Sequence, residues 1–349
     1  MASDKTYFEN GTWAPPFEEV DTKAAGMPAD VATSSGCVRV FVAGAVTHVG
    51  KTSVCLGLLA ALRNAGLKAS ELGYIKPATQ CEAPDLLSKW CAAEGVEYVA
   101  GENAPLVFFS GFTRSFLAGE QGTSAQWLQK IQDKIASMSE GRRVLIIDGV
   151  GFPSVGSIVG VDNADVAKAA KATVLLVCKS GVGSAIDSFS LNSSYFLAKG
   201  VPVLGALFNL GETEGFYSWE KCQESIGAWF TQQSRRERFY GVVPKVAQLD
   251  GLREKISETD EEALENMAKM NAEHFGKHVD IDGIFADAAA DPWCRTGAAP
   301  RLGTGLAALP KGGPKVAASG SAPATKSFQP LSREQVTSAA KKEGAKGGG

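Results

Sequence analysis

The sequence has no long hydrophobic run, few histidines and no closely spaced cysteines. None of its apolar stretches approaches the roughly 20 residues that a membrane-spanning helix needs. It has only 3 histidines, and none of its 7 cysteines stands in a C-x-x-C pair, the spacing typical of zinc and dithiol sites. The odd number of cysteines favours reduced thiols packed as small core residues. The sequence therefore does not predict a membrane span, and it favours a reducing compartment over a disulfide-stabilised fold.

The chain also lacks a strong charge of either sign. Its formal net charge is −3, with 44% hydrophobic and 21% charged residues over 349 positions, which is typical of a globular protein. The first residues are acidic and contain no apolar stretch, whereas transit peptides are poor in acids and secretory signals need an apolar segment. We therefore expect a cytoplasmic protein with no transmembrane segment.

Composition divides the chain into three zones. Residues 1–37 mix aromatic, acidic, Pro and Gly residues without periodicity and predict an irregular arm. Residues 38–290 alternate short apolar runs with amphipathic stretches and predict one domain. Residues 291–349 predict a flexible tail, which from position 295 carries nine Lys or Arg against two Glu. Such a tail either binds an acidic surface, for example an acidic protein partner, or serves as a solvated spacer.

The middle zone has the pattern of an α/β protein. Continuous apolar runs predict strands that are covered on both faces, and amphipathic stretches between them predict helices. The strands are expected at 38–43, 71–75, 144–147, 174–177 and 203–208, and the helices at 53–64, 123–138, 163–171, 184–199, 219–233 and from 259 onward. Because crossovers between parallel strands are right-handed, this alternation predicts a doubly wound, mostly parallel sheet with its ligand at the carboxyl ends of the strands.

A glycine-rich loop joins the first of these strands to the first helix. Residues 44–52 read G-A-V-T-H-V-G-K-T, and a strand before and a helix after are the context that a phosphate-binding loop requires. Backbone amides and the helix N-terminus would hold phosphate, Lys51 would balance its charge, and the Thr52 hydroxyl would bind Mg²⁺. The sequence thus predicts a P-loop NTPase fold with ATP and Mg²⁺ as cofactors. The candidate nucleotide-binding residues of this segment are Gly44, Val49, Gly50, Lys51, Thr52 and Ser53.

An acidic residue ends a later buried strand. Residues 142–148 read R-R-V-L-I-I-D, which places Asp148 at the carboxyl end of a central strand. A carboxylate there would bind Mg²⁺ or orient a nucleophile. The alternative is an aspartate that caps a turn with Gly149.

Three segments together resemble one enzyme family. They are the loop 44–52, the strand end 73–77 (G-Y-I-K-P) and the turn 148–151 (D-G-V-G). The chain resembles dethiobiotin synthetase over about residues 38–250, and more distantly the N-terminal domains of phosphotransacetylases and the ATPase domains of cobyric and cobyrinic acid synthases. The resemblance implies a P-loop fold and an ATP-dependent ligase or cyclo-ligase that activates a carboxylate or carbamate by phosphoryl transfer.

The resemblance also implies roles in binding the nucleotide and the metal. Asn209 matches the residue that reads the edge of the adenine. Asp148 stands in place of the family's glutamate as a metal ligand beside Thr52, and Asp85 would supply a second carboxylate.

Catalytic roles follow from the same likeness. Lys76 matches a lysine that binds the carbamate and stabilises its phosphorylation, and Lys51 and Thr47 complete the catalytic set. Val46 and His48 occupy positions at which the family loop has acidic residues. The implied partners are a nucleotide, a small carboxylate or amine substrate and a second copy of the chain in a homodimer.

Two other functions are compatible with the same residues. The chain could be a non-catalytic protein that keeps the P-loop fold and docks in a larger assembly through its terminal arms. It could also be a regulatory domain that senses nucleotide.

Overall fold

The computed structural model describes residues 36–80, 86–233, 236–246, 261–291 and 293, together with the backbone of 8–9 and 12–13. In 261–264 only the backbone is described. All of these residues belong to one compact unit, Met1–Pro314. Within them, no helix is long and apolar enough to cross a bilayer. Most of the two terminal zones lies outside the described residues.

The strands form one large sheet and two small pairs. In chain order they are β1 (Phe8–Glu9), β2 (Thr12–Trp13), β3 (Val38–Gly44), β4 (Leu72–Ile75), β5 (Ala78–Thr79), β6 (Glu97–Val99), β7 (Leu106–Val107), β8 (Val144–Asp148), β9 (Thr173–Lys179), β10 (Val203–Gly211) and β11 (Arg238–Pro244). The seven-stranded sheet has the order β11-β10-β9-β3-β8-β4-β6, and each neighbouring pair in it is parallel. The short pair β1–β2 is antiparallel and the pair β5–β7 is parallel.

The strand order reverses around β3. This strand pairs with β8 on one side, where Val42 faces Asp148, and with β9 on the other, where Gly44 faces Val177. A crevice opens at such a switch point, outside the carboxyl ends of the strands. The carboxyl ends of the neighbouring strands β3 and β8 therefore lie side by side at this crevice.

Helices cover both faces of the sheet. They are α1 (Lys51–Asn64), α2 (Leu86–Glu94), α3 (Phe112–Leu117), α4 (Ser124–Ser139), α5 (Asn163–Ala169), α6 (Gly183–Ala198), α7 (Trp219–Gln232), α8 (Glu261–His278) and α9 (Ile281–Ala290). One buried apolar cluster joins the sheet to α1, α2, α8 and α9, and a second joins it to α3 to α7. Alternate residues of β3 enter different clusters, Val40 the first and Phe41 the second, because successive side chains of a strand point to opposite faces.

The structure confirms the predicted fold class and the predicted order of strands and helices. Each expected strand is present, and each expected helix is present within two residues of its bounds wherever the structure describes it. The expected helix start at Thr259 lies outside the described residues. The sequence does not predict the helices α2, α3 and α9, the strands β6 and β11 of the main sheet, or the short strands β1, β2, β5 and β7. Cysteines at 37, 55, 91, 178 and 222 are buried, as expected for small core residues.

Candidate active site

The glycine-rich loop is the centre of the site. All seven residues of β3 are buried, the loop follows at 45–50, and α1 begins at Lys51. Gly50 has φ +85°, and a Cβ there would collide with the amide of Asn209. Both constraints require glycine at this position. The loop therefore turns sharply into the N-terminus of α1, where backbone N–H groups lack intrahelical partners and attract anions.

Asn209 holds this loop from the neighbouring part of the sheet. The residue is 6% exposed, and its side-chain Nδ2 donates a hydrogen bond of 2.9 Å to the Val49 carbonyl. The Asn209 carbonyl in turn accepts a 2.8 Å hydrogen bond from the Ser180 amide. The end of β10 is thereby connected both to the phosphate loop and to the end of β9.

Lys51 points from α1 across the end of β3. Its Nζ donates a 2.8 Å hydrogen bond to the Gly151 carbonyl in the loop after β8. Burial lowers the pKa of Lys51 below its ordinary value; the Asp148 carboxylate opposes this shift and the Lys76 ammonium adds to it. The site thus holds two ammonium groups and one carboxylate in close electrostatic contact.

Asp148 is the point on which three other side chains converge. It has no exposed surface. Its Oδ2 accepts hydrogen bonds from Thr52 Oγ1 at 3.2 Å and from Tyr74 Oη at 3.0 Å, and Lys76 Nζ lies 3.6 Å from the same oxygen. Charge-assisted contacts of this kind stabilise a buried carboxylate that would otherwise be costly to remove from water.

The side-chain oxygens of Thr52 and Asp148 fit a magnesium ion as ligands. Hydroxyl and carboxylate oxygens are hard ligands, and Mg²⁺ is usually held by one or two carboxylates together with substrate phosphates and water. Within the described residues there is no group of three or more His, Cys, Asp and Glu side chains that would instead form an all-protein metal cage. The expected second carboxylate, Asp85, lies outside the described residues.

The loop after β8 is shaped by Asn163, the first residue of α5. The Asn163 side chain accepts a 3.0 Å hydrogen bond from the Val150 amide and donates bonds of 2.7 Å to the carbonyls of Val150 and Phe152. A Cβ at Gly149 would lie 2.9 Å from Asn163 Oδ1, so glycine is needed for this approach. These contacts fix the turn that offers the Gly151 carbonyl to Lys51.

An open cavity of about 730 Å³ lies beside the phosphate loop. Its walls are the exposed part of that loop, the turn after β8 and one face of α6. Thr47, a residue of the phosphate loop, is one of the wall residues. The remaining wall residues are Ala45, Val46, Phe152, Pro153, Ser154, Ser188, Leu191, Asn192, Ser194 and Tyr195.

The structure brings most of the sequence-predicted site residues to one edge of the sheet. The segment from Gly44 to Ser53 contributes the loop and the first turn of α1. Lys76 follows the last residue of β4, Asp148 is the last residue of β8, and Asn209 lies two residues before the end of β10. These residues therefore lie near one another, while the roles assigned to them remain predictions.

Sequence reasoning missed two residues, Tyr74 and Asn163, that shape this site. A signal for Tyr74 was present, because it stands two positions before Lys76 and such residues share a side of a strand. Asn163 gave no comparable signal, since only the folded chain shows that its amide reaches the turn after β8.

Comparison with known proteins identifies a family. The model of the family described as an AAA domain matches residues 38–253. The chain is 24% identical over 169 residues to the ATP-dependent dethiobiotin synthetase BioD of Anaeromyxobacter dehalogenans (strain 2CP-C). This match covers 48% of this chain and 75% of that protein. It is 26% identical over 174 residues to the BioD of Anaeromyxobacter sp. (strain K), with the same coverage.

Solved structures give a more distant likeness. A nucleotide-binding protein from Archaeoglobus fulgidus, in complex with ADP, is 14% identical, with a TM-score of 0.36 over 68% of this chain and 87% of that one. Apo McdA from Cyanothece is 15% identical, with a TM-score of 0.38 over 67% of this chain and 98% of that one. At these TM-scores the structural likeness adds nothing to the sequence match.

Proposed function

This chain belongs to the AAA-domain family matched over residues 38–253 and is a dethiobiotin synthetase-like P-loop NTPase, and from this premise we propose that it uses Mg-ATP to phosphorylate a carboxylate or carbamate. The convergence of Thr52, Tyr74 and Lys76 on one oxygen of the buried Asp148 carries the proposal. It places oxygen ligands and a second ammonium group beside the phosphate loop. Those are the groups that phosphoryl transfer needs.

The phosphate loop would hold the triphosphate. Backbone N–H groups of the loop and of the start of α1 would bind its phosphates, and the Lys51 ammonium would neutralise the β- and γ-phosphate oxygens. In the structure Lys51 Nζ binds the Gly151 carbonyl, so the ammonium already lies at the end of β3. A dianionic phosphate would compete well for this ammonium, because hydrogen bonds between charged partners are the stronger kind.

Thr52 and Asp148 would hold Mg²⁺. When bound, the ion would add positive charge to the phosphate oxygens on which negative charge develops. Tyr74 and Lys76 would keep the Asp148 carboxylate ionised and oriented toward Thr52.

The reaction is a transfer of the γ-phosphoryl group. An oxygen of the substrate carboxylate or carbamate attacks the γ-phosphorus, the bond from that phosphorus to the β–γ bridging oxygen breaks, and its electron pair leaves with ADP. The product is an acyl or carbamoyl phosphate. Lys51 and Lys76 would stabilise the charge on the transferred group, and Thr47, which lines the adjoining cavity, would contact the incoming oxygen.

Asn209 would contribute to the choice of base. Its Nδ2 is engaged by the Val49 carbonyl, so its Oδ1 is the atom that would accept a hydrogen bond from the 6-amino group of adenine. Guanine has a carbonyl oxygen at that position and would place two acceptors against each other.

The test measures nucleotide binding and phosphorylation separately on the full-length protein. Calorimetric titration with ATP, with and without Mg²⁺, gives the binding; ADP release and trapping of acyl phosphate as a hydroxamate with hydroxylamine give the chemistry. We expect Mg-dependent binding, and ADP release that requires an added carboxylate and yields hydroxamate. Tight binding of Mg-ATP with no ADP release with a broad panel of carboxylic acids, or of amines supplied with bicarbonate, would overturn the proposed transfer.

A further inference from the structure

A second cavity, of about 410 Å³, lies between the helices α1, α2 and α8. These helices pack on one face of the sheet, whereas α6, which borders the cavity beside the phosphate loop, packs on the other. The two cavities share no wall residue. The volume of the second cavity lies in the range of about 300–1,000 Å³ that is usual for small-molecule sites. It is therefore a candidate site for a ligand other than the nucleotide.

Part of the wall of this cavity is apolar. Its apolar residues are Ala60 on α1, Trp90 on α2 and Ala268 on α8, and all three are buried. The indole ring of Trp90 is the largest of these side chains. A nonpolar group that entered the cavity would pack against them and would gain the free energy of leaving water.

The remaining wall carries charges of both signs. Arg63 Nε lies 3.2 Å from Glu94 Oε2, and the same guanidinium donates a 2.7 Å hydrogen bond to the Leu67 carbonyl. Glu265 and Lys269 are exposed, and neither has an ion-pair or hydrogen-bond partner in the part of the chain that the structure describes. They stand four positions apart on α8, which places their Cβ atoms about 6 Å from each other. The cavity thus offers one unpaired carboxylate and one unpaired ammonium on the same wall.

We infer that this cavity binds a free amino acid with an apolar side chain, and that the amino acid is an effector of nucleotide binding. Its ammonium pairs with Glu265, its carboxylate pairs with Lys269, and its side chain packs against Trp90. The two charged groups of an amino acid share one carbon atom, so they can meet two partners that lie one helical turn apart. A ligand with a single charge fits less well, because side chains of both signs line the cavity.

Helix α8 connects the cavity to the phosphate loop. Asn271, which lies less than one turn beyond Ala268, donates a 2.9 Å hydrogen bond from Nδ2 to the Ser53 carbonyl in the first turn of α1. Further along, the Phe275 ring packs so closely on α1 that a Cβ at Gly57 would lie 2.6 Å from it. A ligand that bridges α1 and α8 therefore stabilises the packing that holds the first turn of α1.

The expected consequence is tighter binding of ATP when the amino acid is bound. Two ligands that favour the same packing raise each other's affinity by the same factor. This coupling rests on the proposed nucleotide site, whereas binding of the amino acid does not.

The first experiment compares three compounds on the full-length protein without nucleotide. They are L-leucine, isocaproate, which has the same carbon skeleton but no ammonium, and isoamylamine, which lacks the carboxylate. Calorimetry measures their affinities. We expect L-leucine to bind about fivefold more tightly than either analogue, the upper end for ion pairs that remain partly exposed. Absence of L-leucine binding at millimolar concentration, or equal affinities for the three compounds, would overturn the inference.

Four variants locate the two charged groups of the ligand. Glu265→Gln should abolish the preference for L-leucine over isocaproate, and Lys269→Gln should abolish the preference over isoamylamine. Glu273→Gln and Lys277→Gln are the matched controls, because they remove the same charges at the same spacing on the same helix but outside the cavity. A preference for L-leucine that survives unchanged in Glu265→Gln or Lys269→Gln contradicts the assignment.

The second experiment titrates Mg-ATP with and without saturating L-leucine. We expect L-leucine to raise the affinity for ATP about fivefold, the lower end of typical coupling between sites. Asn271→Ala should reduce this effect without changing the affinity for L-leucine. An ATP affinity that L-leucine leaves unchanged in the wild-type protein would overturn the effector role.

The two experiments also separate this inference from the proposed function. Selective binding of L-leucine by a protein that does not bind ATP would support the cavity assignment and contradict the nucleotide site. Binding and turnover of ATP by a protein that does not bind L-leucine would support the proposed function and contradict the cavity assignment.

Discussion

The hydroxyl of Tyr74 donates a 3.0 Å hydrogen bond to Oδ2 of Asp148, and both residues are fully buried. The same oxygen accepts from Thr52, the residue that we propose as a metal ligand. Tyr74 therefore orients the carboxylate at the centre of the candidate site without belonging to the phosphate loop. Its influence should be measurable on metal binding and on stability.

Tyr74→Phe should weaken the binding of Mg²⁺ that accompanies nucleotide binding. The substitution keeps the ring but removes one donor to a buried carboxylate, which is worth about 1.5–3 kcal/mol for a hydrogen bond to a charged group. We expect a comparable loss of unfolding free energy in urea and about a tenfold rise in the Mg²⁺ concentration needed for ATP binding. Tyr217→Phe, at a tyrosine that is 55% exposed, is the control. An unchanged Mg²⁺ requirement in Tyr74→Phe would show that the hydroxyl does not orient Asp148 for the metal.

Lys76→Ala should abolish turnover while leaving ATP binding largely intact. Lys76 lies 3.6 Å from Asp148 and is 18% exposed, and we assign it to the transferred phosphoryl group rather than to the nucleotide. Removing one group that stabilises transition-state charge typically lowers kcat by about 100- to 1,000-fold. Steady-state ADP release and ATP titration on the same sample measure the two effects. Normal turnover in Lys76→Ala would contradict the mechanism. The control is Lys168→Ala, at an exposed lysine of α5, which should change neither turnover nor ATP binding.

Asn209→Ala should weaken ATP binding by about tenfold, because it removes the hydrogen bond that holds the Val49 carbonyl and leaves that carbonyl in a buried setting. Titration with ATP, GTP and inorganic tripolyphosphate separates two contributions. Loss of the support for the loop should weaken all three ligands, whereas loss of base recognition should reduce only the preference for ATP over GTP. Asn64→Ala, at the exposed end of α1, is the control. If Asn209→Ala binds all three ligands with wild-type affinity, both roles of Asn209 are contradicted.

Asp162→Asn should lower stability in a pH-dependent way. Burial raises the pKa of Asp162, whereas hydrogen bonds from Lys199 and Tyr195 lower it. The lowering effect is the larger one, so the pKa of Asp162 lies below the ordinary value of 3.8. A depressed carboxyl pKa stabilises the fold above the ordinary value, and this contribution is lost as the pH falls through the depressed pKa. The variant keeps a cap for α5 but loses the charge.

We expect Asp162→Asn to be less stable than wild type by roughly 1–2 kcal/mol near neutral pH, at the lower end for charged hydrogen bonds because Lys199 is 33% exposed. The difference should narrow as the pH falls below 3.8. Urea unfolding at several pH values measures it, with Asp133→Asn on the exposed face of α4 as the control. A difference that stays constant with pH would mean that the charge of Asp162 does not contribute.

The phosphate loop and the central strands could be predicted because each has a strong local cause. Residues 44–52 combine a fixed spacing with a strand before and a helix after, and the runs at β3, β8 and β9 are apolar enough to be covered on both faces. Their parallel arrangement follows from the alternation with helices. The crevice at the ends of β3 and β8 then follows from the topology.

Features that depend on contacts between distant segments could not be predicted. Strand β6 has only three residues, two of them exposed, so it has neither the length nor the apolar run of a central strand. The hydrogen bonds from Asn163 to the turn after β8 and from Asn209 to Val49 join residues whose side chains look ordinary in the sequence. The cavity beside α6 likewise exists only because folding brings three separate segments together.

The contact between Asn209 and Val49 has a consequence for the speed of nucleotide capture. The curve of the phosphate loop is held by a side chain from another strand and by the left-handed backbone at Gly50, so it is a property of the folded sheet. A triphosphate would meet a receptor whose shape is complete before the encounter, and little backbone freedom would be lost on association. Capture should then be limited by diffusion and charge attraction rather than by a slow rearrangement, with a single kinetic phase whose rate rises linearly with nucleotide concentration.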